Sequence, residues 1–190
     1  MKCFMKNLYK KYGIKNGTIP TKIIKICNDF GFQVYRQDLD KSELCYMFIG
    51  ASDINPALSD RVMCVPKDCS ASTRRIMLGY MLAQFLIYGK KALSVEGENF
   101  FTNLFEDKQV LEFILDLFLP QSKLKADYHL KRRLNISHEL TMVKLAKKYL
   151  VPINLVEYRL NQIFEPQYIS QKENNPDEEA KRISLELPKK

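Results

Sequence analysis

Histidine is scarce in this chain, and this scarcity limits the metal chemistry that the protein can support. Only His129 and His138 occur among the 190 residues, and they lie nine positions apart. Two imidazoles that bind one metal ion from the same helix face are spaced by three or four residues. A histidine-rich metal site is therefore excluded.

Long apolar runs are also missing. The longest nearly uncharged apolar stretch, Ile76 to Gly89, has 14 residues, whereas a membrane-spanning helix needs roughly 20. The basic first residues are not followed by an apolar stretch as long as that of a secretory signal. Five cysteines, an odd number at irregular spacing, are typical of free thiols in a reducing compartment. These features predict a cytoplasmic protein with no membrane partner.

The sequence does contain enough apolar residues for a folded core, since 46% of the chain is hydrophobic and 11% is aromatic. A helical apolar pattern from Ile19 to Phe30 precedes three β-rich segments, at residues 33–39, 45–50 and 61–65. The pattern after these segments is helical almost to the end of the chain. This order predicts an α+β fold, in which a small antiparallel sheet packs on a buried central helix and a C-terminal helical subdomain follows.

Composition divides the chain into three predicted parts. Residues 1–120 form the core, residues 121–168 the helical subdomain, and residues 169–190 a polar, partly disordered tail. The net charge of +8 is placed unevenly, because residues 95–120 hold six acidic residues against one lysine while both flanking regions are basic. The purpose of this charge pattern is not evident from the sequence.

The segment Arg74–Gly89 is the most informative part of the chain. After its first turn only Gln84 is strongly polar, so the helix is apolar on every side and must be enclosed by other elements. Gly79 costs up to about 1 kcal/mol relative to Ala in a helix interior, and we expect it to permit close approach of another backbone. Tyr80 and Gln84 share one face. The Gln84 amide needs a partner, because an unpaired buried amide costs roughly 1–3 kcal/mol.

Three segments of this chain carry a resemblance to a known family. They read VMCVP followed by STRRIMLGYMLAQFLIYG, then QVLEFILDLFLP, then LAKKYLVPINLVEYRL. In order and spacing these segments are similar to the ImmA/IrrE family of bacterial and phage metallopeptidases, over roughly residues 18–165. The resemblance implies a zincin-like core in residues 1–120, where a small sheet precedes the helix that bears the zinc motif HExxH.

This chain departs from the family at every position that the resemblance assigns to catalysis. Tyr80 and Gln84 stand at the two histidine positions, Met81 at the general-base Glu position, and Gln109 at the position of the third zinc ligand. Phenols and amides bind zinc weakly, and a thioether cannot accept a proton. The resemblance therefore implies a vacated zinc site with no metal, no other cofactor and no catalytic residue. We expect Tyr80, Gln84 and Gln109 to cluster there.

Two other features approach a metal motif without completing it. His138-Glu139 begins like HExxH, but Met142 stands four residues after the histidine, so the pair is interpreted as the start of a helix. Glu106 and Asp107 are acidic and near the third-ligand position, but no imidazole is placed to join them.

The resemblance implies a catalytically inactive peptidase homologue that acts as a protein-binding regulator in a bacterial, phage or mobile-element context. Its expected partner is a repressor-like protein. Whether the protein is an enzyme is left open, with inactivity favoured. The alternative of an active ImmA/IrrE-type zinc endopeptidase requires metal ligands that the sequence does not identify.

A further alternative is a DNA-binding regulator. Residues 145–164 have the pattern of a helix-turn-helix with a break at Val151-Pro152, and the positive net charge suits a nucleic acid partner. Lys147, Lys148 and Arg159 are the candidate phosphate contacts. Lysines on amphipathic helices more often form a solvated face, so this alternative ranks below protein binding.

Overall fold

Helices and strands are interspersed in the first half of the described chain, up to residue 96, and only helices follow from residue 100 onwards. The computed structural model describes residues 7, 10–12, 23–39, 43–54, 59–97 and 100–173, with side chains to residue 164. The elements within these ranges are α1 (Ile23–Asp29), β1 (Phe32–Gln37), β2 (Glu43–Ile49), α2 (Ala51–Ile54), β3 (Arg61–Pro66), α3 (Ala71–Tyr88), β4 (Ala92–Glu96), α4 (Phe100–Glu106), α5 (Lys108–Phe118), α6 (Gln121–Arg133), α7 (His138–Tyr149) and α8 (Ile153–Glu173). The predicted α+β class is confirmed.

The four strands form a mixed sheet in the order β1-β3-β2-β4. β3 pairs in parallel with β1 and antiparallel with β2, and β4 pairs antiparallel with β2. The prediction of an antiparallel sheet is therefore wrong for one of the three pairings, because β3 returns between β1 and β2 instead of extending the sheet beyond β2. β4 has no counterpart among the predicted strands, since Leu93 and Val95 are its only alternating apolar pair.

One face of the sheet forms part of the core. Side chains alternate between the two faces along each strand, and those on this face are buried against α1 and α3. They are Phe32, Met47, Met63, Val65 and Val95. Tyr35, Tyr46 and Phe48 project from the opposite face and are half-buried.

The central helix α3 is enclosed, as its apolar sequence predicts. Its N-terminus is capped by Ser70, whose Oγ accepts a hydrogen bond from the Thr73 backbone N–H at 3.1 Å. It ends at Gly89, which adopts a left-handed conformation with φ of +64°. Every residue from Arg75 to Gln84 is buried.

Gly79 packs against a side chain and not against a backbone, so that expectation is wrong. A Cβ atom at this position would lie 2.7 Å from Cε2 of Phe118 on α5 and 3.6 Å from Cγ1 of Ile114. The Phe118 ring is itself fully buried. The absence of a side chain at Gly79 therefore lets an aromatic ring fill the space between α3 and α5.

A buried arginine connects α3 with the C-terminal helices. Arg75 is 5% exposed, and its NH1 donates to the backbone carbonyl of Tyr149 at 2.6 Å, at the C-terminal end of α7. Its guanidinium lies 4.5 Å from the centre of the Phe118 ring, in reach of a cation–π interaction. Burial lowers the pKa of Arg75 to about 10, so the cation persists at neutral pH.

The C-terminal helices extend further than predicted. α7 and α8 are separated by a turn in which Leu150 has a left-handed φ of 49°, next to the predicted break at Val151-Pro152. α8 continues to Glu173, so it includes the first residues of the segment predicted as a tail from 169. Residues 174–190 lie outside the described ranges. No described helix has both the length and the apolar character needed to cross a bilayer.

Candidate functional site

Polar side chains from α3 converge on a carboxylate at the start of α5. Tyr80, Gln84 and Tyr88 follow one another at four-residue intervals on α3 and therefore share a face. Asp107 occupies the single-residue break between α4 and α5. We refer to Tyr80, Gln84, Tyr88 and Asp107 as the polar cluster.

The Asp107 carboxylate accepts three hydrogen bonds. Oδ1 accepts from the Val110 backbone N–H at 3.1 Å and from the Tyr88 hydroxyl at 2.9 Å. Oδ2 accepts from Gln84 Nε2 at 3.4 Å. The first of these bonds makes Asp107 the N-cap of α5, a position that aspartate favours. The start of α5 thus places the Asp107 carboxylate within hydrogen-bond distance of Gln84, the strongly polar residue in the interior of α3.

Burial differs sharply along the polar cluster. Gln84 is 2% exposed and Tyr80 is 5% exposed, whereas Tyr88 is 46% exposed. Burial raises the pKa of Tyr80, and the negative charge of Asp107 raises it further. The hydrogen bond to Asp107 raises the pKa of Tyr88. Both phenols are therefore neutral near pH 7, and Asp107 contributes the only charge of the cluster.

The polar cluster is only partly satisfied. Gln84 donates to Asp107 through its nitrogen, but its buried Oε1 has no hydrogen-bond partner in the described part of the chain. An unpaired buried acceptor costs roughly 1–3 kcal/mol. The amide nitrogen of Gln84 thus has a partner, as expected, whereas the amide oxygen has none among the described residues.

The other two positions that the resemblance assigns to the zinc site, Met81 and Gln109, are not part of the polar cluster. Met81 is completely buried in the hydrophobic core, and Gln109 is exposed in the first turn of α5. Among the hydrogen bonds of the described residues, none joins the Gln109 side chain to Tyr80 or Gln84. The residue that meets Gln84 is Asp107, two positions earlier, which the sequence signals only as a favourable N-cap before an apolar helical pattern.

The polar cluster does not fit a zinc ion. Zinc prefers imidazole, thiolate or carboxylate ligands in tetrahedral arrangement, and only Asp107 is of these types. Its two oxygens already accept from three donors, and Gln84 presents an N–H to them. Within the described ranges, no three His, Cys, Asp or Glu residues come close enough together to hold a metal ion.

Arg159, predicted as a phosphate contact, is buried and ion-paired in this structure. The residue is 6% exposed. Its guanidinium forms salt bridges with Glu112, at 3.2 Å, and with Asp116, both on α5. Gln162 adds a hydrogen bond from Nε2 to Glu112 Oε1 at 2.6 Å. We refer to Glu112, Asp116, Arg159 and Gln162 as the ionic cluster. Two of these residues, Arg159 and Gln162, lie on α8, and a helix that reads DNA would need to expose such side chains.

The two lysine candidates lie on the surface of α7. Lys147 is exposed, and Lys148 forms a salt bridge with Asp127 at 2.6 Å. Tyr149 also donates to Asp127, at 2.7 Å. Burial opposes ionisation of Asp127, but these two hydrogen bonds outweigh it and hold the pKa of that carboxyl below its ordinary value. Lys148 is thus engaged within the protein.

Comparison with protein-family models, curated protein sequences and solved structures gives no match to this chain. The family resemblance is therefore a hypothesis that depends on the three sequence segments.

Proposed function

We propose that this protein is a catalytically inactive ImmA/IrrE-type peptidase homologue that acts by binding a repressor-like protein. The observation that carries the proposal is the polar cluster. Tyr80 and Gln84 stand at the positions that resemble the two zinc-binding histidines. Gln84 donates to the Asp107 carboxylate from the following helical region, and the negative charge of that carboxylate helps to raise the pKa of Tyr80.

The hydrogen bonding of the cluster supports loss of catalysis. In the resembled family a later acidic helix supplies the third zinc ligand, and here Asp107 brings a carboxylate to Gln84 from just before α5. The amide N–H of Gln84 and the hydroxyl of Tyr88 bond to that carboxylate directly. Neutral donors thus solvate the charge that a metal ion would otherwise neutralise. Asp107 is the one carboxylate of the cluster, and its two oxygens already accept three hydrogen bonds, which disfavours a role as the base that takes a proton from an attacking water.

The exposure of the cluster supports a binding role. Tyr88 is nearly half exposed and its hydroxyl bonds to Asp107, so the cluster reaches the surface at the C-terminal end of α3. Tyrosine supplies apolar contact area together with a polar tip and is enriched in protein interfaces. We infer that the partner docks over this end of α3.

Capture experiments with the full-length chain test the proposal. The immobilised protein is expected to retain a repressor-like protein from cells that carry its gene, and the captured protein is expected to stay intact during incubation with added zinc. Tyr88→Ala should reduce recovery strongly, whereas Tyr35→Ala, on the far face of the sheet, should not. Cleavage of the partner, or equal recovery by both variants, would refute the proposal.

A further inference from the structure

The sheet face opposite α3 brings together side chains that have no role in the polar cluster. Strand register places Tyr35 of β1 beside Cys64 of β3, Cys64 beside Tyr46 of β2, and Tyr46 beside Ser94 of β4. The four residues thus form a row across all four strands. The small, buried Cys64 side chain lies between the two tyrosines in this row.

A second row lies next to the first. Val62 of β3 pairs with Phe48 of β2, and Phe48 pairs with Ala92 of β4. Alanine at this position leaves the space beside the Phe48 ring open. The two rows line a cavity of about 540 Å³, within the range of roughly 300–1,000 Å³ that small-molecule sites occupy.

The lining of this cavity is uncharged. Of the eleven described residues that form it, none carries a charged side chain, although 27% of the whole chain is charged. Its tyrosines are held by neutral hydrogen bonds, from Tyr35 to Gln33 Oε1 at 2.8 Å and from Tyr46 to Gln37 Oε1 at 2.9 Å. A charged ligand would lose its hydration here without compensation, which selects for a neutral occupant.

We propose that this cavity binds an uncharged, planar aromatic small molecule that packs against the rings of Tyr35, Tyr46 and Phe48. Aromatic rings favour offset or edge-to-face contact with another ring, and three rings on the two strands that flank β3 offer such contacts around one space. A nucleic acid strand would require cations for its phosphates, which the described lining lacks. A protein partner would require a contact area of about 800 Å² on each side, whereas the cavity is a local depression. This site does not depend on the function proposed above.

Fluorescence titration with N-phenyl-1-naphthylamine, an uncharged aromatic probe, tests this site on the full-length protein. Saturable binding of one probe per chain is expected. Ala92→Phe places a ring into the cavity from an exposed strand position, so it should weaken binding by at least about tenfold. The matched control is Ala126→Phe, at an exposed position of α6, which should leave binding unchanged. Circular dichroism and urea unfolding verify that both variants are folded.

Each of the following outcomes would overturn the proposal. Absence of saturable binding excludes the site, and binding that Ala92→Phe does not weaken places the probe elsewhere. Equal affinity for the anionic probe 8-anilinonaphthalene-1-sulfonate contradicts selection for neutral ligands. Displacement of the probe by a poly(dT) strand would assign the face to nucleic acid. A dimer in light scattering that Ala92→Phe dissociates would assign it to a second copy of the chain.

Discussion

Helix α5 carries two polar assemblies that differ in how their carboxylates are paired, since the described donors to Asp107 are all neutral whereas Glu112 and Asp116 pair with a cation. At its start, the polar cluster has one carboxylate, an amide contact of 3.4 Å and an unpaired buried oxygen on Gln84. Further along the helix, the ionic cluster joins Arg159 to two carboxylates and ties Gln162 to Glu112 at 2.6 Å. The first assembly connects α3 with α5, and the second connects α5 with α8.

We interpret the ionic cluster as a contact that stabilises the fold and the polar cluster as the candidate for function. The ionic cluster matches opposite charges from two helices that are more than 40 positions apart in sequence, and it explains part of the acidic middle and basic C-terminal region of the chain. Each cluster leaves one buried polar atom without a hydrogen-bond partner among the described residues, Oε1 of Gln84 and Nε of Arg159, so incomplete pairing does not distinguish them. The polar cluster reaches the surface through Tyr88 and holds a carboxylate that no described cation pairs, so it is the better candidate for function.

The largest effect is expected from removing the cation of the ionic cluster. Arg159→Met leaves Glu112 and Asp116 without their partner. We expect a loss of about 2 kcal/mol in the free energy of unfolding, less than the roughly 3–5 kcal/mol of fully buried pairs because these carboxylates are 40% and 39% exposed. Urea unfolding followed by circular dichroism measures the loss. The control is Lys147→Met, at an exposed lysine, which should change the free energy of unfolding by less than about 0.5 kcal/mol. Equal losses in Arg159→Met and Lys147→Met would show that the ionic cluster does not stabilise the fold.

The packing of α3 against α5 is tested by Gly79→Ala. The new Cβ would lie 2.7 Å from the buried Phe118 ring, so the ring has to move. Overpacking costs about 1–3 kcal/mol, and the higher helix propensity of alanine returns up to about 1 kcal/mol. A net destabilisation of about 1 kcal/mol is expected in urea unfolding. Asn103→Ala at an exposed position of α4 should not destabilise; stabilisation by Gly79→Ala would show that α3 and α5 separate easily.

An effect of similar size is expected at the start of α5. Asp107→Ala removes the N-cap and the acceptor of Tyr88 and Gln84, and it should cost about 1 kcal/mol. Asp107→Asn keeps a capping oxygen and should cost less than half of that amount. If the two variants lost equal stability in urea unfolding, the charge of Asp107 and not its capping bond would be the stabilising feature.

The smallest effect is expected at Gln84 itself. Gln84→Met replaces a half-paired amide with an apolar chain of similar volume, so the change in unfolding free energy should stay within about 0.5 kcal/mol of zero. The matched variant Gln162→Met breaks the bond to Glu112 and should cost about 1 kcal/mol. A loss at Gln84 as large as that at Gln162 would mean that the polar cluster is a stabilising network like the ionic cluster.

The fold was predictable where the sequence pattern is local. The apolar run from Ile76 and the Ser70 cap before it are enough to place α3, and Gly89 marks its end. Strand order was not predictable, because pairing β1 with β2 or with β3 buries the same alternating side chains. The pairing of Arg159 with Asp116 was not predictable for a similar reason. The sequence shows an acidic stretch at residues 95–120 and a basic region after it, but contact between them depends on how α8 packs on α5.

The candidate site was predictable on α3 but not on α5. Tyr80 and Gln84 share a face by their spacing alone, whereas the partner from α5 depends on the residue at which that helix begins. Residues two positions apart on a helix point in nearly opposite directions, so a shift of two moves the contact from Gln109 to the N-cap. Asp107 supplies the cap and therefore also the carboxylate.

The zinc content of the purified protein tests the central claim most directly. The full-length chain, incubated with zinc and desalted, is expected to retain far less than one equivalent by mass spectrometry of the metal. The variant with Tyr80→His, Met81→Glu and Gln84→His, which restores HExxH beside Asp107, is expected to retain about one equivalent. One equivalent of tightly held zinc in the unaltered protein would contradict a vacated metal site.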